Sequence, residues 1–161
     1  MTATNEITQE ELKNKLIYFQ EKGYFIWKKL GNRAGYIRED GYKFIRINNK
    51  LYREHRLAWL YVYGEMPSKE IDHIDGNPSN NSINNLRLCT STQNKCNTKI
   101  RKDNTSGMKG VHWYKAYENW QVKLTYNKET KNLGYFKDFF EACCAVASER
   151  NKVHKEFANH G

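Results

Sequence analysis

The sequence predicts an α+β fold, in which a small N-terminal sheet and helices lead into a ββα unit, and a three-stranded antiparallel sheet packed on one helix follows. Three observations predict it. Short β-type runs bounded by Gly and Asn turns make the sheets, apolar residues at helical spacing make the helices, and a charged stretch rich in Asn, Ser and Gly at 98–107 separates two modules. The organisation expected is a first domain over 1–97 that includes an N-terminal extension, a linker over 98–107, and a second domain over 108–161. With 161 residues and 39% hydrophobic content, the chain can bury a modest core.

Thr8, Gln9, Glu10 and Glu11 fit a capping box, and Leu12, Leu16 and Phe19 recur at helical spacing, so a helix is expected over about residues 9–20, ended by Gly23. Strands are expected at 24–27, 36–37 and 42–47, with Asn48 and Asn49 turning the chain into 50–53; together they read as one small antiparallel sheet. Residues 55–63, closed by Gly64 and followed by Pro67, read as a buried helix. Next come a strand at 70–74, a polar loop at 75–84, a strand at 85–89, and a short helix capped by Thr90 or Ser91 that reaches about Asn97. Beyond the linker, 110–114, 120–126 and 131–136 read as strands and 139–154 as a helix.

Net charge is +9, distributed as +5 over residues 1–100 and +4 over 101–161, so both halves could face a polyanion. No apolar run approaches the ~20 residues of a spanning helix. The start MTATNEITQEEL has no basic segment followed by an apolar core, so a cytoplasmic location and no membrane partner are expected. Cys89, Cys96, Cys143 and Cys144 form no C-x-x-C knuckle and read as free thiols.

Chemistry concentrates in residues 71–97, IDHIDGNPSNNSINNLRLCTSTQNKCN. Phosphodiester hydrolysis needs a nucleophilic water, a cation to offset transition-state charge, and stabilisation of the departing oxygen. Asp72 offers a hard oxygen ligand and His73 a group that titrates near neutrality and can take a proton from water. Adjacent strand residues point to opposite faces, so the strand must end at His73; the turn-forming residues 74–77 make that reasonable. Asn94, a few residues into the following helix, can face back toward Asp72, and Asn85 is suited to hydrogen-bond the intervening loop.

The patterns HRLAW at 55–59, IDHIDGNPSNN at 71–81, NNLR at 84–87 and TSTQNKCN at 90–97 resemble the HNH, or ββα-metal, nuclease family, most closely its phage and intron-type homing endonuclease branch. The resemblance covers roughly residues 40–97. It implies that His73 is the general base, that Asp72 and Asn94 hold the catalytic cation, and that Asn85 is the structural middle asparagine. Asn94 stands where the family name has its final His, which favours Mg²⁺ or Mn²⁺ over ions that prefer imidazole. His55 reads as a structural histidine, with a phosphate contact as the alternative; Arg56 and Arg87 are candidate nucleic-acid contacts.

Residues 106–159 resemble the ethylene-response-factor type DNA-binding domain, through KGVHWYK, the Trp120-x-Val122 strand, LGYFKDFFEA and HKEFAN. That resemblance implies a three-stranded sheet entering the major groove. Strand alternation turns Val111 and Val122 inward, and Lys109, His112, Lys115, Trp120, Lys123 and Thr125 are the candidate nucleic-acid residues. The expected partner is double-stranded DNA, with Mg²⁺ or Mn²⁺ as cofactor and no organic cofactor; the sequence leaves the oligomeric state open. The rival functions are a DNA-binding regulator whose HNH fold does not cut, and an RNA-directed nuclease.

Overall fold

The structure is a computed structural model that describes residues 6–160. The chain divides into two compact units between Cys89 and Thr90. That division lies ahead of the polar 98–107 stretch and assigns the helix after Thr90 to the second unit. There, Asn159 Nδ2 donates to Asn97 O and Oδ1 and Lys109 Nζ donates to Thr98 O, tying the stretch to the C-terminal end of the chain.

The first unit opens with α1 (Gln9–Lys15), capped by the Thr8 side chain. It is shorter than its spacing predicts, because β1 (Leu16–Phe19) begins at once and pairs antiparallel with β2 (Tyr24–Trp27). Leu16 and Tyr18 are buried while Ile17 and Phe19 are not, a period of two. Gly23 turns this hairpin rather than ending a helix. β3 (Tyr36–Ile37), β4 (Lys43–Ile47) and β5 (Lys50–Arg53) form a separate three-stranded sheet, so the expected single sheet is two. Asn48 and Asn49 both take positive φ in the β4–β5 turn, the tight hairpin geometry. The chain then enters α2 (Glu54–Tyr63), stopped by left-handed Gly64. Leu57 and Leu60 on α2 meet Leu12, Phe25, Ile45 and Ile47 in one core.

β6 (Glu70–His73) and β7 (Leu86–Cys89) close the unit as an antiparallel pair in which Asp72 faces Arg87 and His73 faces Leu86. β6 ends at His73, where Gly76 N–H bonds back to His73 O to start the turn.

The second unit begins with α3 (Ser91–Cys96), whose Thr90 cap and Gln93 make a reciprocal capping box. β8 (Val111–Tyr114), β9 (Asn119–Tyr126) and β10 (Glu129–Phe136) form an antiparallel sheet in the order β10-β9-β8, and α4 (Phe139–His154) packs on it through Ala142 and Val146 against Val111 and Val122. This α+β architecture is the class expected from the sequence. Among the described residues no helix is long and apolar enough to cross a membrane.

Candidate active site

The polar loop between β6 and β7 is held by its own side chains. Asp75 collects hydrogen bonds from Asn77 N–H, Asn80 Nδ2 and Asn85 Nδ2, and Asn85 Oδ1 accepts from Asp75 N–H in return. Asn85 Nδ2 also reaches Asn80 O, so one amide spans both ends of the loop. Partial burial works to raise the Asp75 pKa, but the hydrogen bonds from Asn80, Asn77 and Asn85 win and hold it below the usual carboxylate range.

Asp72 and His73 are both buried, at 4% and 5% exposure, and strand alternation gives them different neighbours. Asp72 Oδ2 accepts from both Nε and Nη2 of its cross-strand neighbour Arg87, each at 2.8 Å. His73 Nε2 lies 2.9 Å from Asn81 Oδ1, and Asn81 Nδ2 donates to Glu54 Oε2 at 2.9 Å. The direction of this relay follows from the chemistry of its members. A carboxyl oxygen takes the amide N–H, so the amide oxygen must face the imidazole, and a carbonyl oxygen only accepts. His73 therefore carries its proton on Nε2 and its lone pair on Nδ1. Burial pushes the His73 pKa below 6.5, outweighing the Asn81 hydrogen bond and the carboxylates of Asp75 and Asp72, so the ring is neutral near pH 7.

The N-terminal hairpin fixes Asn81 from behind. Tyr18 Oη donates to Asn81 O, Ile83 N–H donates to Gln20 O, and a Cβ on Gly23 would stand 2.1 Å from Ser82 N. Gly23 is thus required both by its φ of +64° and by this close approach. Glu54, the first residue of α2, is 1% exposed with Oε1 unpartnered; burial raises its pKa despite the Asn81 hydrogen bond and the charges of Lys43 and Arg33. His55 packs edge-on against His73, with ring centroids 5.1 Å apart. Burial first, then the neighbouring His73, Arg53 and Arg56, lower its pKa to about 3.

The structure thus brings Asp72, His73, Asn85, His55 and Arg87 into one unit, while Asn94 sits partly buried on α3 of the other. Arg56 donates to Pro67 O and anchors the loop after α2, and Arg87 is engaged with Asp72, so both have structural partners where the sequence predicted nucleic-acid contacts. Glu54 and Asn81 are site members that sequence reasoning missed. Among the described residues no group of three His, Cys, Asp or Glu side chains is placed to hold a metal. A carboxylate and an amide oxygen nevertheless match the chemistry of Mg²⁺ or Mn²⁺, which favour oxygen donors and retain several waters.

In the second unit, His112, Gln121, Lys123, Thr125, Thr130 and Tyr135 lie on the sheet face away from α4, as the pairings His112↔Gln121, Thr130↔Thr125 and Tyr135↔Gln121 require. Lys115 is exposed in the turn after β8. Trp120 is on the opposite face: it shares parity with Val122, packs on the α4-side core and meets Phe139 at 4.7 Å. Lys109 Nζ, partly buried, is tied to Thr98 O and to Asn159 O and Oδ1.

A family model described as HNH endonuclease matches residues 52–96. Protein 3.8 of Escherichia phage T7 is 37% identical over 110 residues, which is 68% of this chain and 90% of that protein. YosQ of Bacillus subtilis (strain 168), SPbeta prophage-derived and named as an HNH homing endonuclease, is 31% identical over 159 residues, covering 94% of this chain and 86% of its own. An HNH endonuclease of Acanthamoeba polyphaga mimivirus is 32% identical over 110 residues, 66% of this chain and 57% of that one. No solved structure matches the chain.

Proposed function

We propose, for a chain that belongs to the HNH endonuclease family, that it is a metal-dependent, homing-type endonuclease hydrolysing phosphodiester bonds in double-stranded DNA. One observation carries this reading: a buried His73 whose Nε2 lies 2.9 Å from Asn81 Oδ1, an acceptor that favours the proton on Nε2 and leaves Nδ1 as the basic nitrogen. His73 accepts the proton of the attacking water at Nδ1. Asn81 and Glu54 keep the ring in that tautomer and His55 keeps it from rotating, so the base is oriented before substrate arrives. Asn85 holds the loop that follows the base.

Asp72, and by family resemblance Asn94, would hold a Mg²⁺ or Mn²⁺ ion. When bound, such a cation offsets charge on the phosphoryl oxygens and leaving group. Arg87 holds the Asp72 carboxylate in place through two hydrogen bonds to Oδ2.

The part of the second unit over about 108–161 is assigned to duplex binding, with His112, Lys123 and Thr125 on the outward sheet face and Lys115 at its edge. A reaction of this kind takes place where the DNA is, in the cytoplasm of a bacterial host if the protein is phage-encoded as its T7 relative is. Supercoiled plasmid and structured RNA, each incubated with Mg²⁺ and with Mn²⁺, test the reading. Nicked or linear plasmid supports it; binding without cleavage, or cleavage of RNA alone, contradicts it.

A further inference from the structure

The second unit contains a cationic groove that the hydrolytic chemistry does not use. It is a cavity of about 730 Å³ between the segment that follows α3 and the outer half of β9. Among the described residues its lining carries seven Lys or Arg side chains and one carboxylate, Asp103. Lys99 and Arg101 stand on one wall, Lys123 and Lys128 on the other. All four are exposed, and none makes an ion pair among the described residues.

The deeper lining is more unusual. Arg150 is 2% exposed, yet among the described residues its guanidinium donates to neutral acceptors, Lys109 O at 2.7 Å and His160 Nδ1 at 3.2 Å. Lys109 is likewise held by carbonyl and amide oxygens alone. His154, buried, lies tilted against Tyr126 with ring centroids 5.4 Å apart, and among the described residues neither of its ring nitrogens is hydrogen-bonded. Burial acts first, and the neighbouring cations second, to lower the pKa of both Lys109 and His154. A buried charge is ordinarily met by an opposite one. Among the described residues no carboxylate is paired with Arg150, and the field of the seven cations that line the groove is strengthened by its low-dielectric walls.

Lys123, Thr125 and His112 belong both to the groove lining and to the outward face of the sheet. An anion that satisfies the groove is therefore continuous with one lying along the sheet, which favours a polymer of evenly spaced charges over an isolated ion. We propose that this groove receives one phosphodiester strand of nucleic acid, with Lys99 and Arg101 contacting phosphates from one wall and Lys123 and Lys128 from the other. The proposal rests on the reading of the second unit as a nucleic-acid-binding module, and it is independent of whether His73 cleaves. Contacts of this type fix register and orientation and do not read sequence.

The test is the equilibrium binding of a fluorescent duplex by the full chain carrying His73→Ala, measured against salt. Two further double variants are compared, Lys99→Glu with Arg101→Glu and Lys123→Glu with Lys128→Glu. Each should weaken binding at least ~10-fold at moderate salt and flatten the log–log salt dependence by about 2, close to one unit per lost phosphate contact. Lys28→Glu with Lys29→Glu, an equal charge change on an exposed turn of the first unit, should flatten it by less than ~0.5.

Unchanged slopes in the groove variants, or an equal change in the control, overturn the groove while leaving the nuclease intact if the wild type still nicks plasmid. Competition by millimolar inorganic phosphate with no effect of the variants on duplex binding marks a small-anion site and also overturns it. A wild type that binds through the groove but never nicks removes the nuclease reading and keeps this one. No binding of duplex by the wild type removes both the groove and the binding role of the second unit.

Discussion

Asn81 stands between Glu54 and His73, its Nδ2 2.9 Å from the carboxyl and its Oδ1 2.9 Å from the imidazole Nε2. Twenty-seven residues separate Glu54 from Asn81 in sequence, and the relay exists because α2 and the β6–β7 loop meet beneath the β1–β2 hairpin. Its consequence is a single tautomer at the base.

Removing the relay should misorient the base without removing it. Asn81→Ala and Glu54→Gln are expected to slow cleavage, by up to the ~10⁴-fold that the wrong histidine tautomer costs a serine protease. A ¹⁵N spectrum of labelled histidine separates this from simple unfolding: the wild type should show His73 protonated on Nε2, and Asn81→Ala a mixture of tautomers. An unmixed Nε2–H form in the variant contradicts the positioning role.

Gly23 allows a prediction with an internal control. Gly23→Ala places a methyl 2.1 Å from Ser82 N at a φ of +64°, whereas Gly31→Ala has a φ of +69° and meets nothing within 4 Å. The second change should cost about 1 kcal/mol, the backbone strain alone. The first should cost at least ~2 kcal/mol more, because the backbone around Asn81 must shift. Urea midpoints read both, and equal losses would show that the close approach is relieved cheaply.

His55 makes stability depend on pH. Its folded pKa of about 3 lies below the ordinary 6.5, so the folded state resists a proton that the unfolded state takes. The stability is fully present above pH 6.5 and is lost as pH falls toward 3, by up to about 5 kcal/mol for this group alone. In His55→Leu the decline between these limits should be visibly shallower than in the wild type, and parallel curves would contradict the assignment.

Arg87 and the cation are assigned to the same carboxylate. Arg87→Met removes the ion pair from the buried Asp72 carboxylate and should cost about 2–3 kcal/mol in metal-free buffer. If Asp72 is a ligand, millimolar Mg²⁺ should recover more than ~1 kcal/mol in this variant by binding the folded state. A melting temperature indifferent to Mg²⁺ in Arg87→Met removes Asp72 from the metal set.

Much of the fold was legible because local chemistry and tertiary structure agree. Asn48 and Asn49, and likewise Asn127 and Lys128, take the positive φ of tight hairpins, and α4 covers the residues its pattern marked. The helix expected to reach residue 20 stops at Lys15 because Leu16 fits both periods, with Leu12 that of a helix and with Tyr18 that of a strand, and pairing with β2 selects the strand. Trp120 was misplaced although its parity with Val122 put it inward, since no bulge lies between them.

Asp72, His73 and Asn85 form a compact motif that a sequence displays. Glu54 and Asn81 do not: one looks like an ordinary first-turn acid, the other like one turn asparagine among many. Only the close approach at Gly23 and the burial at Asn81 distinguish them.

The central claim is that His73 deprotonates the attacking water, and the direct measurement is nicking of supercoiled plasmid by the wild type and His73→Ala with Mg²⁺, alongside duplex binding by each. The account predicts a rate lower by about 10² to 10⁴-fold with binding retained. Metal-dependent cleavage at the wild-type rate in His73→Ala would contradict it.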